Sequence, residues 1–195
     1  MWDELLAVMS CDRDRALICM YVSSAARATE LLGIDIDDVD WSRQLVHVVS
    51  KGSRLRQPVP VSPESLVFLA RYLADAGTPG PGAPLWRTRR GEARPLTYWA
   101  MRRSLQRANE RLGTNWTLHD LRHTAATRLA NDPAITLTEV RAILRHADIN
   151  TTSIYTAVRV EDLFDKLQDH YTRPRQTAHF APGYDPDDVK VLFGG

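Results

Sequence analysis

Two cysteines, Cys11 and Cys19, are too few for a disulfide scaffold, and a chain of 195 residues buries a core without one. Cys19 sits in an apolar run that reads as a buried helix, so reduced core thiols are expected. Long hydrophobic runs are also missing. The longest, near Leu17 to Ser23 and Leu66 to Ala70, fall far short of the roughly 18 residues a membrane span needs. The N-terminus carries Asp3 and Glu4 in place of a basic signal region, so a soluble intracellular protein with no membrane partner is expected. Lysine is scarce as well: of 25 basic residues only Lys51, Lys166 and Lys190 are Lys, which makes each one worth locating. No internal repeat is visible. The 44% apolar and 25% charged fractions exclude a disordered or collagenous chain.

The net charge of +1 hides a strong segregation. Glu30, Asp35, Asp37, Asp38 and Asp40 follow one another with no intervening basic residue, whereas eight arginines between Arg87 and Arg111 face only Glu92 and Glu110. Electrostatic fields follow local density, so the second stretch is a candidate for holding phosphates, or else a solvated helix face.

The periodicity predicts a mixed α+β fold, predominantly helical, with helices around a small three-stranded antiparallel sheet. Apolar residues from Trp2 to Leu32 fall at helical spacing in two segments. They are broken at Ser10, where Ser10 and Asp12 are suited to cap the second helix, and Gly33 ends it. Ile34 to Trp41, Leu45 to Ser50 and Arg56 to Val61 read as strands, with Lys51 at the last hairpin. Helices follow over Pro63 to Ala74, Leu96 to Leu112, Leu118 to Ala130, Thr138 to His146, Thr151 to Val158 and Val160 to Tyr171, with a Gly/Pro-rich loop from Gly77 to Pro84.

His119 and Arg122 lie three apart and share a helix face, which sets a planar bidentate oxyanion donor beside a group that titrates near neutrality. That pairing suits a phosphate whose attacking or leaving oxygen needs a proton moved. The same spacing also suits a surface ion pair. His119 and His123 resemble the HExxH zinc pair, but Arg122 between them opposes a divalent cation, and Asp120 reaches less far than the Glu of that motif. Further residues extend the pattern: Arg27 with Glu30 three residues on, Lys51 on its turn, and Leu144, Arg145, His146 followed nine residues later by Tyr155. Each alone has an ordinary explanation, such as a helix ion pair, a hairpin lysine, a helix-ending histidine or a core tyrosine.

Taken in order, these parts resemble the catalytic domain of the tyrosine recombinase (phage integrase) family over Arg27 to Tyr155. They are an Arg-x-x-Glu-Leu segment, a Lys-Gly turn between strands, a His-x-x-Arg-His helix, a Leu-x-His segment and a tyrosine nine residues beyond it. The resemblance implies that residues 1–172 form the catalytic domain and 173–195 a C-terminal tail. It implies that Arg27 and Arg122 clamp the scissile phosphate, that Lys51 donates a proton to the departing 5′ oxygen, that His119 and His146 assist by proton transfer or hydrogen bonding, and that Tyr155 is the nucleophile. Glu30 would orient groups in the site. The chain departs from the family where Ser24, Ala25 and Ala26 replace Thr-Gly-Leu and where Arg145 replaces Gly.

These roles fit the chemistry. A phosphodiester is already anionic, so attack requires neutralising the equatorial oxygens, and two forked guanidiniums match that shape better than ammonium groups. A phenol of pKa about 10 is a poor nucleophile at pH 7 unless its proton is taken or its phenolate stabilised, and a 5′-alkoxide leaves poorly without an acid. The phosphotyrosyl bond conserves the energy of the broken linkage, so neither a metal nor another cofactor is expected.

Double-stranded DNA is the expected partner, bound through Arg54, Arg56, Arg89, Arg90, Arg94, Arg102 and Arg103, with Trp86, Tyr98 and Trp99 among them suited to pack against the sugar-phosphate backbone but expected rather as core anchors. The resemblance further implies self-association as a tetrameric synapse on DNA, an N-terminal DNA-clamping domain absent from this chain, and residence at the nucleoid of a bacterium or phage-infected cell. The competing readings are a catalytically silent DNA-binding protein of the same fold, a type IB topoisomerase-like enzyme and a zinc hydrolase.

Overall fold

The computed structural model describes residues 2–50, 56–144 and 160–173. Its centre is helix α2 (Asp12–Ser24), which is apolar on all sides from Ala16 to Val22 and buried from Ala16 to Ser24. Such a helix must be wrapped on every face. Here α4 (Pro63–Ala76) and α6 (Leu118–Ala130) cover most of it, with α3 (Ala28–Leu32) and strand β3 (Arg56–Pro60) at its end. Cys19 lies in this core, Cys11 at its margin, and both are free thiols.

The entry to α2 differs from expectation. Cys11 is the N-cap, without a side-chain hydrogen bond, while Asp12 is the first helical residue. There it favours the helix dipole and pairs with Arg15 at 2.8 Å. Arg15 also donates to the Leu6 and Met9 carbonyls at 2.8 and 2.7 Å, tying down the C-terminal end of α1 (Trp2–Val8).

Nor does this helix run on to Leu32. Ser23 and Ser24 turn their hydroxyls back on the Cys19 and Met20 carbonyls, at 2.8 and 2.6 Å, and the Ser24 Oγ accepts from the Ala26 N–H. Side-chain bonds of this kind compete with helix propagation. Ala25 then takes a left-handed conformation (φ 51°, ψ 20°), and α3 restarts the helix until Gly33.

The expected first strand is mostly a turn. The Asp35 carboxylate accepts from the Asp37 and Asp38 N–H groups, which closes a 3-10 turn over Ile36–Asp38 and leaves only Val39–Asp40 as β1. β1 pairs antiparallel with β2 (Leu45–Val49), and β2 with β3, in the order β1-β2-β3. Pro58 and Pro60 lack an N–H and accordingly lie on an edge strand.

Ser62 caps α4, which buries Leu66, Leu69, Tyr72 and Leu73 and runs two residues beyond the expected end at Ala74. Trp86 is fully buried, as expected, and its indole donates to the Leu31 carbonyl at 2.7 Å. Thr97 caps α5 (Tyr98–Leu112), one residue inside the expected start, and Gly113 closes it at φ 66°. Helices α7 (Leu137–Leu144) and α8 (Val160–Thr172) complete the described chain. The expected helix over Thr151 to Val158 lies outside the described residues.

Two apolar clusters result. Leu118 and Leu121 of α6 belong to the main core, while Ala125, Ala126 and Leu129 belong to a second cluster with Ile135, Val140, Ile143, Leu144, Leu163 and Leu167. The α2–α3 corner straddles them, Ala26 in the first and Ala25 in the second. No described helix is long and apolar enough to cross a membrane.

Candidate active site

Arg27 stands at the N-cap of α3, immediately after the left-handed corner. Glu30 holds it twice: one carboxylate oxygen accepts the Arg27 backbone N–H at 2.9 Å, the other the guanidinium Nη1 at 3.0 Å. The Glu30 side chain is 1% exposed and that of Arg27 35%, so a buried anion fixes a guanidinium that still reaches the surface. This is the reach-back half of a capping box, used to orient an arginine.

Helix α6 begins with a full capping box. The Thr117 hydroxyl accepts from the Asp120 N–H at 3.2 Å, and the Asp120 carboxylate accepts from the Thr117 N–H at 2.7 Å. That cap places exposed His119 in the first turn and half-buried Arg122 one turn further on. Arg122 Nη1 donates to the Ala25 carbonyl at 2.6 Å and Nη2 to the Leu144 carbonyl at 2.7 Å. A single guanidinium thus bridges three elements: the corner that carries Arg27, the helix that carries His119, and the C-terminal end of α7, two residues before His146.

The rings of His119 and His123 meet edge to face at a centroid distance of 4.1 Å, with Nε2 to Nε2 at 2.5 Å. Two nitrogens ligating one tetrahedral zinc stand about 3.3 Å apart, and this pair is instead at hydrogen-bonding distance. Among the described residues no group of three His, Cys, Asp or Glu is placed to hold a metal. Burial, then the neighbouring His119 and Arg122, push His123 below the ordinary imidazole value against the opposing pull of Asp120.

Of the six expected catalytic residues, Arg122 reaches the carbonyl two residues before Arg27, and His119 lies one turn before Arg122 on α6. Lys51, His146 and Tyr155, and Arg54 of the DNA-binding set, lie outside the described residues. The strands flanking Lys51 pair in the expected antiparallel sense, with Val49 opposite Arg56.

Among the remaining arginines, Arg56 is ion-paired with Asp38. Arg89, Arg90 and Arg94 are exposed on a turn closed by the Arg87–Pro95 bridge and braced by the Thr88 hydroxyl, which donates to the Glu92 carbonyl at 3.0 Å. Arg94 also pairs with Glu92 at 3.1 Å. Arg102 and Arg103 are exposed in the second turn of α5. Trp99 corrects an expectation: it is 67% exposed, with the Arg102 guanidinium 5.5 Å from its ring centroid, and is no core anchor. Tyr98 is exposed beside it, the two rings edge to face at 5.5 Å. The apolar stripe of α5 runs instead through Met101, Leu105 and Ala108, and Trp99 lies off that face.

Comparison with known proteins identifies the family. The Phage integrase family profile matches residues 3–162, and the chain belongs to that family. It is 35% identical over 167 residues to the tyrosine recombinase XerD of Pseudomonas aeruginosa, an alignment covering 83% of this chain and 55% of that protein. The fold is similar to that of XerA recombinase, with a TM-score of 0.61 and 26% identity over 90% of this chain and 62% of that one. It is similar also to XerH site-specific recombinase bound to its difH substrate, with a TM-score of 0.61 and 24% identity over 83% of this chain and 49% of that one. The chain therefore spans about half the length of the curated relative it matches.

Proposed function

We propose that this chain is the catalytic domain of a site-specific DNA recombinase that cuts and rejoins strands through a 3′-phosphotyrosyl intermediate. The observation that carries this reading is the Arg122 bridge, which ties the Arg27 corner, the His119 helix and the segment leading to His146 into one assembly. In it Arg27 and Arg122 neutralise the scissile phosphate, and Glu30 holds Arg27 in place. The Tyr155 oxygen bonds to phosphorus as its proton passes to the histidines, the bond to the 5′ oxygen breaks, and Lys51 supplies that oxygen with a proton. Rejoining runs the same steps backwards with a new 5′-hydroxyl. Residues 1–172 make up this domain and 173–195 a tail, and the working enzyme is a tetramer assembled on double-stranded DNA.

The test is a nicked suicide substrate, which loses its short 5′ fragment on cleavage and traps the enzyme. A covalent DNA adduct that survives denaturation, forms in EDTA and maps to Tyr155 is expected. Binding without an adduct sinks the reading and leaves a silent DNA-binding protein, and relaxation of plasmids lacking any defined site indicates a topoisomerase instead.

The DNA surface includes the Arg87–Pro95 turn and the first two turns of α5, where Tyr98 and Trp99 stand exposed among arginines. Stacking of a base or sugar on an exposed aromatic contributes about 1–3 kcal/mol. Trp99→Ala is accordingly expected to weaken DNA binding by about tenfold while thermal stability stays within about 0.5 kcal/mol of the parent. Unchanged affinity in a titration at fixed salt removes this helix from the interface.

A further inference from the structure

His123 is absent from the roles assigned above, yet its Nε2 lies 2.5 Å from the Nε2 of His119, and its ring is half-buried while that of His119 is exposed. Two ring nitrogens in such contact need one donor and one acceptor, so the two imidazoles cannot both be protonated at these atoms. The pair therefore takes up one proton before a second, and the surroundings decide which ring keeps it.

The groups that bear on His123 among the described residues are His119, Asp120 and Arg122, all on α6. Burial is the largest influence, and with the Arg122 guanidinium it disfavours a charged His123 in spite of Asp120. His119, by contrast, is exposed. A protonated His119 must donate from both nitrogens, and one of those donors already has its acceptor in place.

We propose, resting on the recombinase reading, that His123 is a positioning residue whose bare Nε2 accepts the Nε2 proton of His119, so that His119 exchanges protons with the reacting groups through Nδ1. A proton taken up at Nδ1 during cleavage then resides on the outer ring, facing solvent and substrate, and the inner ring stays neutral. Orientation and tautomer of His119 are set together, as a second partner sets them for a metal-bound histidine.

Side-chain 15N NMR of the free protein tests the pair without DNA. As the pair takes up its first proton, His123 is expected to stay neutral with Nε2 unprotonated. Protonation of His123 first, or independent titration of the two rings, overturns the proposal.

Kinetics supply the second arm. His123→Gln keeps an acceptor near the position of Nε2 and is expected to form the suicide-substrate adduct within about threefold of the parent rate. His123→Phe is expected to be about 10- to 100-fold slower, the size of effect seen for orienting partners, with DNA affinity unchanged. Equal rates for the two variants overturn the assignment. Should His123→Phe fail to fold, the glutamine variant and the order of protonation still decide. A parent protein that forms no adduct sinks the recombinase reading instead, a result distinct from any outcome of the NMR titration.

Discussion

Arg122→Lys is expected to slow formation of the covalent DNA adduct by about 10²- to 10³-fold, the loss found when a preorganised donor to a developing oxyanion is removed. It is also expected to lower the melting temperature. Both effects have one origin, because this guanidinium binds the Ala25 and Leu144 carbonyls through two different nitrogens, at 2.6 and 2.7 Å. A lysine ammonium is a point charge on a flexible stem and cannot hold two carbonyls on separate elements in a fork. Losing one charge-assisted hydrogen bond at a half-buried site costs about 2 kcal/mol, or roughly 4–8 °C for a chain of this size. Positive charge is retained, so affinity for DNA at moderate salt should fall little. Single-turnover trapping beside a thermal melt separates the two losses. A variant with parental cleavage rate and parental stability shows that the bridge matters to neither.

A residue's role is legible in the sequence where that role is local. The capping box of α6 is a four-residue pattern, Thr117 to Asp120, and the helix starts where it should. The pairing of β2 with β3 follows from β-branched residues on either side of the Lys-Gly sequence, and Trp86 is buried as a large aromatic usually is. The α2–α3 corner was harder, because a helical pattern runs straight through Ser23 to Ala28 and only the serine hydroxyls divert it. A signal was nevertheless present: the family usually has glycine where Ala25 stands, and glycine before an arginine marks a left-handed position. Ala25 occupies that conformation despite its Cβ. The Arg122 bridge joins residues 97 and 22 positions apart, and no pattern in the sequence announces that a side chain will bind main-chain carbonyls at such range. The exposure of Trp99 runs against a general tendency instead. Tryptophan is usually buried, and only its place one residue into α5, off the stripe of Met101, Leu105 and Ala108, speaks against that.

Leu167→Ala on α8 is expected to destabilise the protein by about 2–5 kcal/mol, the range for truncating a fully buried leucine. Leu167 is 0% exposed and shares its cluster with Leu163, with Leu129 of α6, with Ile143 and Leu144 of α7, and with Ala25 itself. Polar contacts fasten the same helix to its own chain. Lys166 pairs with Glu139 at 2.6 Å, His170 and Arg173 both bind Asp132 at 2.7 and 2.6 Å, and the Tyr171 hydroxyl donates to the Ser23 carbonyl at 2.9 Å, two residues before the corner. Packing of α8 therefore supports the Arg27 corner from behind, and the leucine variant is expected to lose adduct formation along with stability.

The ionic part of this attachment should show in acid. Burial alone would raise the Asp132 and Glu139 carboxyls, but the Ala134 N–H with His170 and Arg173 in one case, and Lys166 with Thr136 in the other, more than offset it, so both lie below their ordinary values. Carboxylates depressed in the folded state stabilise it above their unfolded values, and that contribution is lost as pH falls through the folded ones, here below about pH 4. Melting temperatures between pH 7 and pH 2.5 are expected to drop over this window in the parent. Asp132→Asn should melt lower at pH 7 and depend less on acid. Parental melting of Leu167→Ala shows that α8 is not held by its own chain in solution, and an Asp132→Asn profile parallel to that of the parent places the acid-sensitive groups elsewhere.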